Sequence, residues 1–199
     1  MRTKTKILTT KAEVRQLIKA CKQTGYCCYD WETNGLPIYM KAFCTTILSI
    51  TFQAGFACSV VTNHFQRKEY NVNYSSKWVI NRIGHELIEN PKVVKMAWNH
   101  KFDGQIFQKY NIYYRGTVID GMLAKYILNE EKPNGLKDMV RRYMPDYGGY
   151  EASKGFDKIP WDQKPLDQLC QYGGQDTDYT FRLCIFFEKK LIDLGLYKI

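Results

Sequence analysis

The chain is poor in the features that would place it in a membrane or outside the cell. No stretch of its 199 residues approaches the ~20 consecutive apolar residues of a bilayer-spanning helix, which excludes a spanning protein. Residues Met1 to Lys6 are basic, but no apolar signal core follows them. Ile7 and Leu8 run straight into polar Thr9 to Lys11, which argues against a secretion signal. Histidine is scarce (His64, His85 and His100), and none stands at zinc-ligand spacing from a cysteine. The 7 cysteines contain no C-x-x-C pair and read as reduced, mostly buried thiols of a cytosolic protein. Cys27 and Cys28 are adjacent, so on a strand they face opposite ways. There is no internal repeat and no low-complexity tract. Acidic charge is in deficit, with 20 Asp plus Glu against 29 Lys plus Arg. The resulting +9 favours a polyanionic partner such as nucleic acid, and a merely soluble basic protein is the plain alternative. What remains is ordinary for a packed protein: 45% hydrophobic, 25% charged, and 15% aromatic, too aromatic for a disordered chain. The length suits a single domain spanning residues 1–199.

The pattern along the chain alternates between strands and helices. Thr10 with Glu13 forms a capping-box signature for a first helix carrying Val14, Leu17, Ile18 and Cys21 and ending near Gly25. Tyr26 to Glu32 reads as a strand broken by the turn chemistry of Thr33 to Pro37. Residues 43–53 and 56–62, joined by Ala54-Gly55, read as a hairpin. A helix follows from Ser75 or Ser76 to Glu89, then a strand at Val93 to Trp98, a helix from Asp103 to Tyr110, and a short strand at Gly116 to Ile119. Further helices are expected at about Gly121 to Leu128 and Leu136 to Tyr143. The Pro- and Gly-rich residues 145–165 read as a long mobile segment. A final helix, about Leu166 to Leu194, carries a stripe of Leu169, Leu183, Phe187, Leu191 and Leu194. Early hairpin strands followed by strand–helix alternation predict an α/β fold, a mixed β-sheet flanked by helices.

Three segments carry candidate chemistry. Asp30 and Glu32, at i and i+2 of a strand, project to one face, where two carboxylates are costly unless a cation sits between them or water surrounds them. A hard divalent metal is the usual remedy; a solvated surface pair is the plain alternative. Asn99 to Asp103 follows an apolar strand and opens a helix, so Asp103 emerges at a strand end, where functional groups of open α/β sheets gather; a simple N-cap would equally account for it. Tyr172 and Asp176 are one helical turn apart and share a face, and the alternative is a packed tyrosine beside a solvent-facing acid. Between them, Gly173-Gly174 costs the helix roughly 1 kcal/mol per glycine, as though the backbone had to approach something closely, such as the strand of Asp30. Asp178 lies on another side of that helix from Asp176.

In this order and with these neighbours, the segments resemble the motifs of the DEDDy branch of the 3′→5′ exonucleases, closest to the proofreading domain of family A DNA polymerases. The D-x-E…T-x-x-L motif corresponds to Asp30, Glu32, Thr33 and Leu36; N-x-x-x-D to Asn99 and Asp103; and Y-x-x-x-D to Tyr172 and Asp176. Ile119 to Leu128 and Leu136-Lys-Asp-Met are similar to the connecting helices, so the resemblance runs from about residue 25 to 194. Two positions depart from the pattern. Trp31 fills a slot usually held by a smaller residue, its side chain turned away from the metals, and Gly173-Gly174 replaces better helix formers.

The resemblance implies a ribonuclease H-like fold and a two-metal hydrolysis of single-stranded DNA from its 3′ end to nucleoside 5′-monophosphates. Asp30, Glu32, Asp103 and Asp176 would hold two Mg²⁺ or Mn²⁺ ions about 4 Å apart, with Tyr172 and Glu32 orienting the attacking water. Leu36 would wedge between bases, Thr33 and Asn99 would contact the terminal nucleotide, and Tyr150 would face it. Such a site needs no catalytic histidine, so His100 is expected to be a bystander. Lys101, Lys154 and Lys158 are candidate strand contacts, each also readable as a solubilising surface lysine. The expected partners are a 3′ DNA end and a DNA polymerase subunit or domain, in a bacterial or virus-infected cytoplasm. No polymerase sequence follows Ile199, which is compatible with a free-standing nuclease, one subunit of a split enzyme or an excised domain. Two alternatives stay open: an RNase D-like exoribonuclease sharing the same five side chains, and an inactive nuclease-like module that binds nucleic acid.

Overall fold

The chain opens with a strand that its short, basic first residues do not suggest. In the computed structural model, which describes residues 3–35, 37–131, 133–147, 158–160 and 163–197, β1 (Lys4–Leu8) exposes Lys4 and Lys6 and buries Leu8. Its neighbour is β4 (Phe56–Val61), paired in parallel from Lys4 opposite Phe56 to Leu8 opposite Val60. Helix α1 (Lys11–Thr24) then forms as the pattern predicts. Thr10 and Glu13 close a capping box, Gly25 ends the helix at φ +78°, and Val14, Leu17, Ile18 and Cys21 are buried.

Strands β2 (Tyr26–Thr33) and β3 (Thr45–Gln53) complete the central sheet with β4, β5 (Val94–Ala97) and β6 (Val118–Asp120). The order is β1-β4-β3-β2-β5-β6. The β2–β3 and β3–β4 pairs are antiparallel; β1–β4, β2–β5 and β5–β6 are parallel, so the sheet is mixed as expected. The predicted hairpin is β3–β4, and its turn glycine, Gly55, takes φ +86°, where a side chain would be strained. After Ser75 caps α2 (Ser76–Ile83), the helix widens into a single π turn, Gly84–Ile88, rather than running on as α-helix. At Gly84 a Cβ would stand 2.2 Å from Ile112 Cδ1, so the absent side chain leaves room for that isoleucine. Helix α3 (His100–Lys109) begins three residues earlier than the sequence suggests, with Asn99 at its N-cap position and Asp103 inside the first turn. Helices α4 (Gly121–Leu128), α5 (Leu136–Tyr143) and α6 (Leu166–Asp193) lie where expected.

The alternation along β2 divides the molecule. Cys27, Tyr29 and Trp31 enter a core shared with α1, α2 and α3. Cys28 packs on the opposite face with Phe181 and Cys184 of α6. All seven cysteines are free thiols, and all but Cys44 are buried. Along α6, Leu169, Leu183, Phe187 and Leu191 are buried as the stripe predicts, each contributing about 1.5–3 kcal/mol. Leu194 is 64% exposed because the helix has already ended at Asp193. Among the described residues, no helix is long and apolar enough to cross a membrane.

Candidate active site

Because Trp31 points into one core, its neighbours Asp30 and Glu32 point to the other face, where α6 crosses. Two devices hold the end of β2. The pairing with β3 shifts between Glu32 (opposite Ile47) and Thr33 (opposite Thr45), leaving Thr46 as the extra residue of a bulge. The Thr46 hydroxyl donates to the Glu32 carbonyl at 3.0 Å. The glycine pair of α6 then lets that helix touch the sheet. A Cβ on Gly173 would stand 2.8 Å from Ser49 Oγ and 3.3 Å from Glu32 Oε1, and one on Gly174 would stand 2.5 Å from Thr5 Cγ2. The close approach read from Gly173-Gly174 is therefore to β2 and β3 on one side and to β1 and β4 on the other.

This contact delivers Asp176 to the two strand carboxylates. One oxygen from each of Asp30, Glu32 and Asp176 lies within 4.8 Å of the others. Glu32 and Asp176 are buried and Asp30 is half-buried. Burial pushes the Asp30 carboxyl far above its ordinary range, and the charges of Glu32, Asp103 and Asp176 push it further. Glu32 is raised in the same way by burial and by Asp176 and Asp103, opposed by Lys164 and Lys137. Converging carboxylates, all hard oxygen donors whose mutual repulsion raises their pKa values, fit a hard divalent cation and suit neither a soft metal nor an apolar ligand.

Asp103 stands outside that trio. It is buried on α3, and its Oδ1 accepts from the Trp31 amide at 3.1 Å. Burial raises its pKa to about 8, the Trp31 hydrogen bond opposing. Its charge still acts on Asp30 and Glu32. Tyr172 is half-buried on α6, and burial followed by the charges of Asp176, Glu32 and Asp30 holds its hydroxyl well above the usual tyrosine range. Thr33 is buried, its Oγ1 accepting from the Gly35 amide at 3.2 Å. Asn99 is exposed in the left-handed region at φ +61°. Leu36 and Tyr150 lie outside the described residues, as does Lys154. Lys101 and Lys158 are exposed. His100 is tied into the fold: its Nδ1 lies 2.8 Å from the Tyr29 hydroxyl, its ring meets Tyr114 edge-on, and burial lowers its pKa.

Two residues that matter to this geometry stand inside the connecting segments without a role in the motif reading. Asp120 caps α4 through the Met122 and Leu123 amides, and also takes the Asn99 and His100 amides at 3.1 and 2.8 Å. One carboxylate thus seats the first turns of α4 and α3, and with α3 the position of Asp103. Its signal was an acid immediately before a helix. The second, Lys137 of α5, places its ammonium 4.9 Å from the centre of the Tyr172 ring. Asp178 occupies the other side of α6, as its spacing from Asp176 requires. Rather than facing solvent, it is fully buried, accepting from Thr3 Oγ1, the Gly55 amide and Arg182.

Comparison with known proteins converges on one family. The family model described as 3′-5′ exonuclease matches residues 5–192. DNA polymerase I of Borreliella burgdorferi is 24% identical over 196 residues, covering 96% of this chain and 20% of that protein. The chain thus spans about a fifth of the length of that curated relative. Among solved structures, the exonuclease domain of Nibbler from Aedes aegypti superposes with a TM-score of 0.72 at 15% identity, covering 98% of this chain and 94% of that one. RNase D of Escherichia coli, described as an exoribonuclease involved in structured RNA processing, gives a TM-score of 0.69 at 15% identity, covering 98% and 46%. At such identities these two structures speak for the fold alone.

Proposed function

Since the chain belongs to the 3′-5′ exonuclease family, we propose that it degrades single-stranded DNA from the 3′ end, releasing nucleoside 5′-monophosphates. The observation that carries this reading is the meeting of Asp30, Glu32 and Asp176, from β2 and α6, within 4.8 Å. With Asp103 behind them, these side chains would hold two divalent cations, Mg²⁺ or Mn²⁺. Bound there, such ions supply Lewis-acid charge for the phosphate and lower the pKa of water.

The chain's own residues do the rest. Tyr172, its hydroxyl kept protonated by burial and the surrounding carboxylates, donates to the attacking water and orients it with Glu32. The water oxygen bonds to the terminal phosphorus as the bond to the 3′-oxygen of the preceding nucleotide breaks, and that oxygen takes up a proton. Thr33, next to Glu32 on β2, and Asn99, at the start of α3, hold the terminal nucleotide in this reading. Sugar and stacking contacts of this kind carry little base information, so cleavage is indifferent to sequence.

The preference for DNA is supported by the sequence similarity to a DNA polymerase I along almost the whole chain. The same similarity supports a polymerase, in the same chain or as a partner, working in the cytoplasm. The test uses strands labelled at the 3′ or the 5′ end, as matched DNA and RNA, with wild type and Asp103→Ala. Metal-dependent loss of the 3′ label as mononucleotide, faster on DNA and absent in Asp103→Ala, is the expected result. Faster loss from RNA would transfer the activity to exoribonucleases. Binding without cleavage would leave a nucleic-acid-binding module, and activity surviving in Asp103→Ala would displace the centre.

A further inference from the structure

Two lysines lie near enough to the acid cluster for their charge to act on it, and they differ in exposure. Both act on the Glu32 carboxylate with favourable charge. Lys164, just ahead of α6, is fully buried, with its backbone carbonyl 2.8 Å from His64 Nε2, so its side chain is closed off from an incoming strand. Lys137 is half-exposed on α5, with its ammonium over the Tyr172 ring. Among the described residues, no carboxylate lies within ion-pair distance of it.

The platform under Lys137 is rigid. Lys125 of α4 is buried and donates to Asn134 Oδ1 at 2.6 Å and to the Glu131 carbonyl, and Trp98 Nε1 donates to the Asn134 carbonyl at 3.1 Å. Helix α5 starts two residues later and is anchored by buried Met139 and Val140 against Tyr179 and Leu183 of α6. The ammonium of this half-exposed lysine therefore sits over the ring of Tyr172, near enough to the acids for its charge to act on Glu32, and these are the two groups read above as orienting the attacking water.

We propose that Lys137 is a substrate-contacting residue of this site, its ammonium binding a non-bridging oxygen of the phosphodiester being cleaved while its stem packs on the Tyr172 ring. This rests on the nuclease reading given above. A phosphodiester gains negative charge as water adds, and an ammonium already positioned there stabilises the added charge more than the ground state. The ring contact places the cation on the tyrosine face without using the hydroxyl.

The experiment compares wild type with Lys137→Met, Lys137→Gln and Lys137→Arg. Two readouts are kcat/KM on a single strand, and binding to strands whose 3′-terminal linkage is either a normal phosphodiester or an uncharged methylphosphonate. The two neutral variants are expected to lose about 100-fold in kcat/KM with unchanged melting temperature, and Lys137→Arg to recover most of it. The neutral linkage is expected to weaken binding to wild type, and to weaken binding to the two neutral variants by a clearly smaller factor, since the share of the charge contact owed to Lys137 is already gone. Unchanged kcat/KM in both neutral variants overturns the proposal. So does a rate loss accompanied by the full wild-type penalty for the methylphosphonate, since Lys137 would then act only through packing. A wild type that releases no nucleotide overturns the nuclease reading itself, and this inference with it.

Discussion

Asp176 and Asp178, two positions apart on α6, do opposite jobs. Asp178 is wholly buried and fully engaged by Thr3, the Gly55 amide and Arg182, so it locks β1 and the β3–β4 turn to the helix. Asp176 is crowded by two other acids. Asp178→Ala is expected to cost about 1–3 kcal/mol or more of stability, by leaving those donors without an acceptor. Asp176→Ala is expected to leave the metal-free melting temperature equal or higher, yet abolish cleavage. Parallel denaturation and nuclease assays separate the two; equal destabilisation would refute the division. Burial of Asp103 sets a pH dependence. The carboxyl pKa of Asp103 is near 8 in the folded chain against about 4 unfolded, so the folded state holds the extra proton in between. Stability from that proton is fully present below pH ~4 and is lost as pH rises through about 8. The metal-free protein should melt at a lower temperature at pH 8 than at pH 5. The slope should be shallower in Asp103→Asn, which keeps an oxygen for the Trp31 amide, and Mg²⁺ or Mn²⁺ should raise the melting temperature more at pH 8. Melting curves with no pH difference would contradict this.

At the scale of elements, α6 decides whether the site exists. Its glycines were legible as an anomaly, since two adjacent helix-weakening residues within a helix need a reason, but which surfaces they touch required the fold. A methyl on Gly173 meets Ser49 and Glu32 directly, so Gly173→Ala should move the helix or the carboxylate. Overpacking of about 1–3 kcal/mol then exceeds the roughly 1 kcal/mol gained in helix propensity, and activity should fall at least tenfold. Gly174→Ala meets Thr5 on β1, further from the acids, and should cost stability with less loss of activity. Activity equal to wild type in Gly173→Ala, checked by initial rates at matched folding, would contradict that contact. Other elements were less legible. β1 is five residues long, and its lysines blunt a sheet edge, so its pattern resembles a basic tail more than a strand. The need for glycine at the start of the π turn after α2 comes from Ile112, far away in sequence. The double duty of Asp120 arises only because β5 and β6 lie side by side, bringing the starts of α3 and α4 within reach of one side chain.

Across the whole molecule, local periodicity and turn chemistry were enough to read nearly every helix and the hairpin, because capping boxes, alternation and glycine stops are written in adjacent residues. The candidate site was legible for a different reason. Asp30, Glu32, Asp103, Tyr172 and Asp176 announce themselves by spacing within a strand or a helical turn, whereas their meeting depends on strand order and on glycines admitting α6. What spacing could not separate is the trio from Asp103, which is held back by the Trp31 amide. Nor could it single out Lys137 among so many lysines, since its place over Tyr172 comes from packing between α5 and α6.

The most direct measurement is a count of bound Mn²⁺ on the purified chain by electron paramagnetic resonance, for wild type, Asp30→Asn and Asp176→Asn. Two ions per wild-type chain, with at least one lost in each variant, is the predicted result. A wild type that takes up no Mn²⁺, or variants that bind it as fully as wild type does, would contradict the account.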